Sequence, residues 1–429
     1  MSGVRGHPSI EARRPRFAGK FTRPRSRDAS PTRLLLFDLY STGHHPRYLD
    51  HLVRGWRAED LAGRLEVAVP EAFARAHPAL AEEWEHGGGG VSVTWLEGIP
   101  ERRPGSPLGL VAHDLRVHGP QLRLAVERLR PSHCLHLYVD HAQLSLATRL
   151  RFGRPLVLAG LYFRPAAGDA AAPGLGPRVR RLRKEAVLRL AARNPHLETL
   201  FCLDPSAVAA LDRLLPRVRV VAVPDPVEQP EGSRPGRGSG RPEGGRLVVT
   251  LFGVLDERKG AHRLLDAAAA LPPQASDRLA FVLAGPVPAA ERERLLAGLA
   301  RARTAGASVS LDDRYLSEAE AFALLQEAAA AAVLYQRHLG SSNVLVHAAA
   351  AGVPVLACRE GVVGAHVRRH SLGQTVDATS TEAVVAALVR IAEQGALSGF
   401  DPQRARAFAG ANTPAAFAGT IFRGLGLAG

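Results

Sequence analysis

Sulfur is scarce in this chain of 429 residues, which has three cysteines and one methionine. Cys134, Cys202 and Cys358 lie far apart, each inside an apolar run. That spacing excludes a disulfide framework or a cysteine metal site and predicts buried, reduced thiols. Long hydrophobic runs are missing too. No stretch approaches the ~18–20 apolar residues of a membrane span, and no apolar core follows the basic N-terminal segment as a signal peptide requires. The expected address is the cytoplasm, with contact at the inner face of the membrane left open.

Acidic residues are the next shortage: Asp and Glu number 41 against 55 Lys and Arg, a net charge of +14. The excess is not spread evenly. Residues 1–33 hold nine Lys/Arg against Glu11 and Asp28, half of the total excess. With its Pro, Gly and Ser and no apolar periodicity, segment 1–31 is predicted to be a disordered tail. Its charge suits weak contact with an anionic membrane; specific nucleic-acid binding is not expected, since only the charge argues for it.

What is abundant is alternation. Short apolar runs at 33–39, 65–69, 91–95, 135–139, 155–161, 199–203 and 218–223 alternate with helical stretches at 48–56, 111–129, 142–151, 179–192 and 206–215. Segment 228–245 has no apolar residue and reads as a flexible linker. Alternation then restarts, with strands expected at 247–252, 279–284, 307–311, 331–335 and 354–357, and helices at 261–271, 289–303, 317–329, 343–351 and 382–394. This order predicts an α/β chain of two doubly wound, Rossmann-like domains, 32–227 and 246–398, facing across a cleft. Residues 399–429 are expected to be helical and to return to the first domain. Ligands in such sheets bind at the carboxyl ends of the strands, so the loops there are the candidates for chemistry.

Three loops stand out. Ser41-Thr42-Gly43-His44-His45 follows the first strand; its glycine allows close backbone approach, and paired imidazoles can meet phosphate or sugar hydroxyls. Either that or a plain tight turn explains it. Gly253-Val254-Leu255-Asp256-Glu257-Arg258-Lys259-Gly260 follows the first strand after the linker, and Arg258 and Lys259 at a helix entrance suit a diphosphate. Gly340, Ser341, Ser342 and Asn343 open a helix of small residues, where free amides can cradle an anion. Within that helix His347 is the lone polar side chain, readable as a ligand contact or as a buried imidazole bonded to a carbonyl. Asp140 and His141, at the end of the 135–139 run, are candidates for the sugar or acceptor. The adjacent pair Asp312-Asp313 reads as a surface turn, because neighbouring side chains diverge in extended chain, and no metal site is expected.

The turn 253–260, then Val282-Leu283-Ala284-Gly285, then Ala348-Ala349-Ala350-Ala351-Gly352-Val353-Pro354-Val355-Leu356 and Leu372-Gly373-Gln374-Thr375-Val376-Asp377 together resemble glycosyltransferase family 4. The resemblance is strong over about 247–391 and loose over 33–227. It implies the GT-B fold and transfer of a sugar, of hexosyl type, from a nucleoside diphosphate-sugar donor, with retention and without a bound metal or other cofactor. Lys259 falls on the family's diphosphate lysine and Gly340, Ser341 and Ser342 on its phosphate-binding amides. Gly43, Gly253, Asn343 and His347 complete the expected donor contacts, and His44, His45, Asp140 and His141 the expected sugar or acceptor contacts. Arg258 and Lys259 would stabilise the leaving diphosphate. The acceptor, whether a glycan, a lipid-linked sugar or a small molecule, is not implied. Two positions that are glutamates in the family are Leu339 and His347 here, and the family's arginine after the first glycine is Val254. These departures leave a second reading, a catalytically silent sugar- or nucleotide-binding subunit that partners an active enzyme.

Overall fold

The computed structural model describes residues 31–100, 106–148, 150–163, 175–228, 245–336 and 340–428. The basic tail, linker residues 229–244 and Leu339 lie outside the described residues.

Two parallel sheets form the chain. The first holds β1 (Arg33–Phe37), β2 (Arg64–Pro70), β3 (Val91–Leu96), β4 (His133–His136), β5 (Val157–Tyr162), β6 (Leu197–Cys202) and β7 (Arg219–Ala222) in the order β3-β2-β1-β4-β5-β6-β7. The second holds β8 (Leu247–Phe252), β9 (Leu279–Ala284), β10 (Ser308–Asp312), β11 (Ala330–Val333), β12 (Val355–Cys358) and β13 (Gly373–Val376) in the order β10-β9-β8-β11-β12-β13. Every pairing is parallel, so each strand needs a crossover and each sheet is covered on both faces. That burial explains why β8, Leu-Val-Val-Thr-Leu-Phe, is buried at all six positions. The chain is therefore α/β, with two doubly wound, Rossmann-like sheets as expected. The three cysteines are free and buried.

Departures from the expected elements are local. Strand β4 stops at His136 because the chain then enters a short helical turn, Val139–His141. The stretch expected as one helix over 111–129 begins earlier, as Pro107–His113, and passes through a wider π-type turn, Asp114–His118, before Gly119–Leu129. Such turns rotate side chains out of the regular register. Here the turn carries Asp114 to the Leu144 and Ser145 amides at 2.8 and 3.2 Å. Helix Gly361–His370 and edge strand β13 were not among the expected elements, since one holds two glycines and the other is a half-buried four-residue run.

The halves are joined by more than the linker. Helix Pro414–Leu425 packs Phe417, Ala418, Ile421, Phe422 and Leu425 into the N-terminal core beside Tyr48, Leu52 and Trp56. The backbone amides of Asp225 and Val227 bond to the Asn412 side chain and carbonyl at 3.0 and 2.9 Å. The buried Asp225 carboxylate accepts from the Tyr48 hydroxyl at 2.6 Å, and, with the Asn343 amide oriented so that its nitrogen faces Asp225, from that nitrogen at 2.8 Å to each oxygen. Asp225 thus ties the first helix, the interdomain segment and the helix after β11 together. Burial, opposed by hydrogen bonds from Tyr48 and Ser341, raises its pKa.

Candidate functional site

In each sheet the strand order reverses at one point, between β1 and β4 and between β8 and β11. A crevice is expected at the carboxyl ends of those strands, and each half has a cavity there.

The C-terminal cavity, about 210 Å³, is lined by Phe252, Gly253, Val254, Lys259, Gly285, Tyr315, Glu318, Asn343, Val344 and His347, and from the other half by Arg47. Its floor requires glycine. A Cβ on Gly285, at φ +137°, would collide with the Gly253 carbonyl, and one on Gly260, at φ +77°, with the Leu334 carbonyl. The Asp256 carboxylate caps the short turn Glu257–Lys259 by accepting from the Lys259 amide at 2.9 Å. That cap fixes the Lys259 side chain over Gly253, where its Nζ donates to the Tyr335 hydroxyl at 2.7 Å. Tyr335 in turn bonds to the Ser342 hydroxyl at 2.7 Å.

Of the two neighbouring cations, Lys259 lines the cavity and Arg258 does not. The Arg258 guanidinium pairs with Asp256 at 3.5 Å and lies over the Tyr335 ring, 5.5 Å from its centre. Polar side chains at the helix entrance are also engaged elsewhere: Ser341 and Asn343 with Asp225, and Ser342 with Tyr335. Among the described residues no side chain caps helix Asn343–Ala351. What this helix offers a ligand is its first amides and its positive dipole end. Gly340 and Ser341 precede it without lining the cavity.

His347 sits one turn into that helix, 4% exposed. Its Nδ1 bonds to the Asn343 carbonyl at 2.8 Å and its Nε2 to the Glu318 carboxylate at 2.5 Å. Glu318 opens helix Glu318–Gln326, whose reciprocal Ser317–Glu320 cap sets the direction of the first turn. The other Glu318 oxygen pairs with Arg47. Burial pushes the Glu318 carboxyl up, but His347, Arg47 and His51 outweigh it and leave it below the ordinary carboxylate range.

The N-terminal cavity, about 300 Å³, is lined by Tyr40, Ser41, Thr42, Gly43, His44, His45, Pro70, Ile99, His113 and Tyr138. Gly43, expected at the donor, belongs here. His45 Nδ1 bonds to the fully buried Asp38 carboxylate at 2.5 Å, which leaves Nε2 as the remaining polar atom of the ring. His44 stacks on His45, 4.8 Å between ring centres. Behind them, the Tyr40 hydroxyl joins His141 Nδ1 at 2.7 Å and His118 Nε2 at 3.1 Å. Asp140 faces away and accepts from the Phe163 amide at 2.9 Å. Helix His45–Ala58 connects the two cavities, with His45 in one and Arg47, two residues on, in the other.

Sequence reasoning missed Asp38, Tyr40, Arg47, Asp225, Glu318 and Tyr335. Asp38 left one signal, a carboxylate directly after the apolar run Leu34–Phe37 at a ligand-facing strand end. No described group of three His, Cys, Asp or Glu converges to hold a metal ion, and Asp313 instead accepts from the Val287 amide at 2.8 Å. Among the described residues no helix is long and apolar enough to cross a membrane.

No curated protein sequence matches the chain. Solved structures do. Sucrose-phosphate synthase from Thermosynechococcus elongatus aligns over 92% of this chain and 99% of its own, with a TM-score of 0.70 and 17% identity. HepE from Anabaena, solved in complex with UDP and glucose, aligns over the same shares with a TM-score of 0.60 and 15% identity. A UDP-forming alpha,alpha-trehalose-phosphate synthase from Burkholderia vietnamiensis covers 92% and 99%, with a TM-score of 0.62 and 14% identity. At such identities these likenesses establish the fold. The family model described as glycosyl transferases group 1 matches residues 246–394, which include every strand of the second sheet. The chain thus has the GT-B fold, and its residues 246–394 are similar to glycosyl transferases group 1.

Proposed function

We propose that the protein moves a hexosyl group from a nucleoside diphosphate-sugar, held in the C-terminal cavity, to an acceptor hydroxyl in the N-terminal cavity. One observation carries the reading: Lys259, the turns at Gly253 and Gly285 and the uncapped first turn of helix Asn343–Ala351 converge in one cavity at the switch point. Negative charge grows on the diphosphate as its bond to the sugar breaks. A fixed ammonium and helix amides that meet this charge lower the barrier, because they need no reorganisation at the moment of reaction. The resemblance supports retention, with no metal or cofactor beyond the donor. Since HepE is described with UDP and with UDP-glucose, a uridine donor is the first to try.

On the acceptor side, His44, His45 and Tyr138 offer hydrogen bonds and ring faces to a hydroxyl-rich ligand. With Nδ1 fixed by Asp38, His45 Nε2 is the group placed to take the acceptor proton. A second reading, a silent donor-binding subunit, draws on His347. Its ring is committed to Glu318 and a carbonyl, where the family motif has a free carboxylate. Free nucleoside diphosphate, measured with UDP-glucose and other nucleotide-sugars, separates the two. An enzyme releases it, faster when the acceptor is present, and Lys259→Ala abolishes the release. A silent subunit binds the donor and releases none.

A further inference from the structure

A diphosphate carries more charge than one lysine neutralises, so the donor reading calls for a second cation. Arg258, adjacent in sequence, is turned away toward Asp256 and solvent. Among the described residues the other Lys or Arg in the cavity lining is Arg47, on the first turn of helix His45–Ala58 in the opposite half. Its guanidinium is held by a Glu318 oxygen whose partner oxygen is committed to His347. Both side chains of this pair remain more than a quarter exposed, at 28% and 27%. The pair is therefore within reach of a ligand that enters the cavity.

We infer that Arg47 is the second phosphate-binding cation of the donor site, supplied by the N-terminal half, and that Glu318 holds it while the site is empty. The inference rests on the donor reading above. Guanidinium prefers phosphate to a solvated carboxylate where it can bond through two nitrogens at once. Ligand entry then exchanges Arg47 from Glu318 to the diphosphate. Because Arg47 and Lys259 stand on opposite sides of the cleft, a ligand gripping both favours the closed arrangement of the halves. A ligand shifts an equilibrium only through contacts made better in one state, and an Arg47–phosphate contact is of that kind.

Substitutions at the two ends of the pair separate this role from a structural one. Arg47→Gln and Glu318→Gln both break the same ion pair. If the pair is only an interdomain tie, both variants lose nucleoside-diphosphate affinity. If Glu318 competes with the ligand for Arg47, the two variants move in opposite directions. In calorimetric titration of the full chain with UDP, GDP and ADP, Arg47→Gln should weaken the diphosphate that binds by about ten-fold or more. Glu318→Gln should tighten it about three-fold, and Arg258→Gln should cost less than Arg47→Gln. Losses of similar size in Arg47→Gln and Glu318→Gln, or no change in either, overturn the inference while the donor reading stands on Lys259→Ala. A native protein that binds no nucleoside diphosphate overturns both.

Discussion

At the carboxyl ends of β1 and β4 the N-terminal half gathers Tyr40, His44, His45, His113 and Tyr138, with Asp38 behind His45. At the corresponding ends of β8 and β11 the C-terminal half gathers Lys259, two glycine turns, a helix entrance and Glu318, and borrows Arg47. Both sheets run through the same order outward from their first strand, and both cavities sit where that order reverses. The backbone therefore sets where a ligand binds, while the loop side chains set which ligand it is. Among the described residues the N-terminal lining holds no lysine or arginine. It suits neutral hydroxyls, and the other cavity suits an anion.

The most damaging single change should fall between the halves, not in either. Asp225→Ala orphans Tyr48, Ser341 and Asn343 at once. At about 1–3 kcal/mol for each buried group left without a partner, a loss of about 3 kcal/mol or more is expected. Differential scanning calorimetry should also show the halves beginning to unfold as separate transitions. A single transition with unchanged midpoint would mean that Asp225 ties nothing together.

Next comes Lys259→Ala, which tests the anionic side of the contrast. Losing a charge-assisted hydrogen bond of about 1.5–3 kcal/mol should weaken a nucleoside diphosphate roughly ten- to a hundred-fold. The parent nucleoside should bind almost as before. Equal losses for both would remove the phosphate from Lys259.

Acid should weaken both halves. Burial pushes His51 and His136 in the first half, and His366 in the second, down to about 4 from 6.5. The unfolded chain takes up those protons more readily, so stability falls as pH drops from about 6.5 toward about 4. Asp114 runs the other way. Burial raises it from 3.8 to about 6, so the folded chain keeps that proton longer and gains stability as pH falls across this window. Asp50 and Asp225, also raised by burial, act with Asp114. His370 and the lowered carboxyls of Glu318, Glu320 and Asp377 act with the three imidazoles, so the balance is a net loss, read as a falling thermal midpoint. His51→Leu should flatten the fall, since neither His51 ring nitrogen has a hydrogen-bond partner among the described residues. An equally steep fall in that variant would remove His51 from the cause.

The smallest effect is expected from removing residues 1–30, whose composition buries too little apolar surface to offset ordering entropy. The melting point should move by no more than a few degrees, and donor affinity not at all. A large drop would mean that the basic segment docks on one of the halves.

How far each half was legible follows from sequence distance. Strands β8 and β9 fall on their expected bounds, because each is an apolar run, broken only by Thr250 in β8, between turn signals. Gly253 and Lys259 lie within one strand–turn–helix unit, so spacing alone brings them together. The N-terminal cavity draws on segments scattered from Leu39 to Tyr138, and Tyr40 meets His118 and His141 across 78 and 101 residues. No local pattern records such a meeting. Arg47 and Glu318 lie further apart still, one in each half, and only the folded chain pairs them. Asn343 looked like a donor contact because amides suit helix entrances. Its side chain instead serves Asp225, a residue on the far side of the linker.

The contrast between the cavities is tested most directly by titrating UDP and uridine, then the guanosine and adenosine pairs, into the native protein, Lys259→Ala and His45→Ala, with heat as the readout. The account expects one diphosphate to bind at least ten-fold more tightly than its nucleoside, an advantage lost in Lys259→Ala and kept in His45→Ala. Equal affinity for diphosphate and nucleoside, or the same loss in both variants, would contradict it.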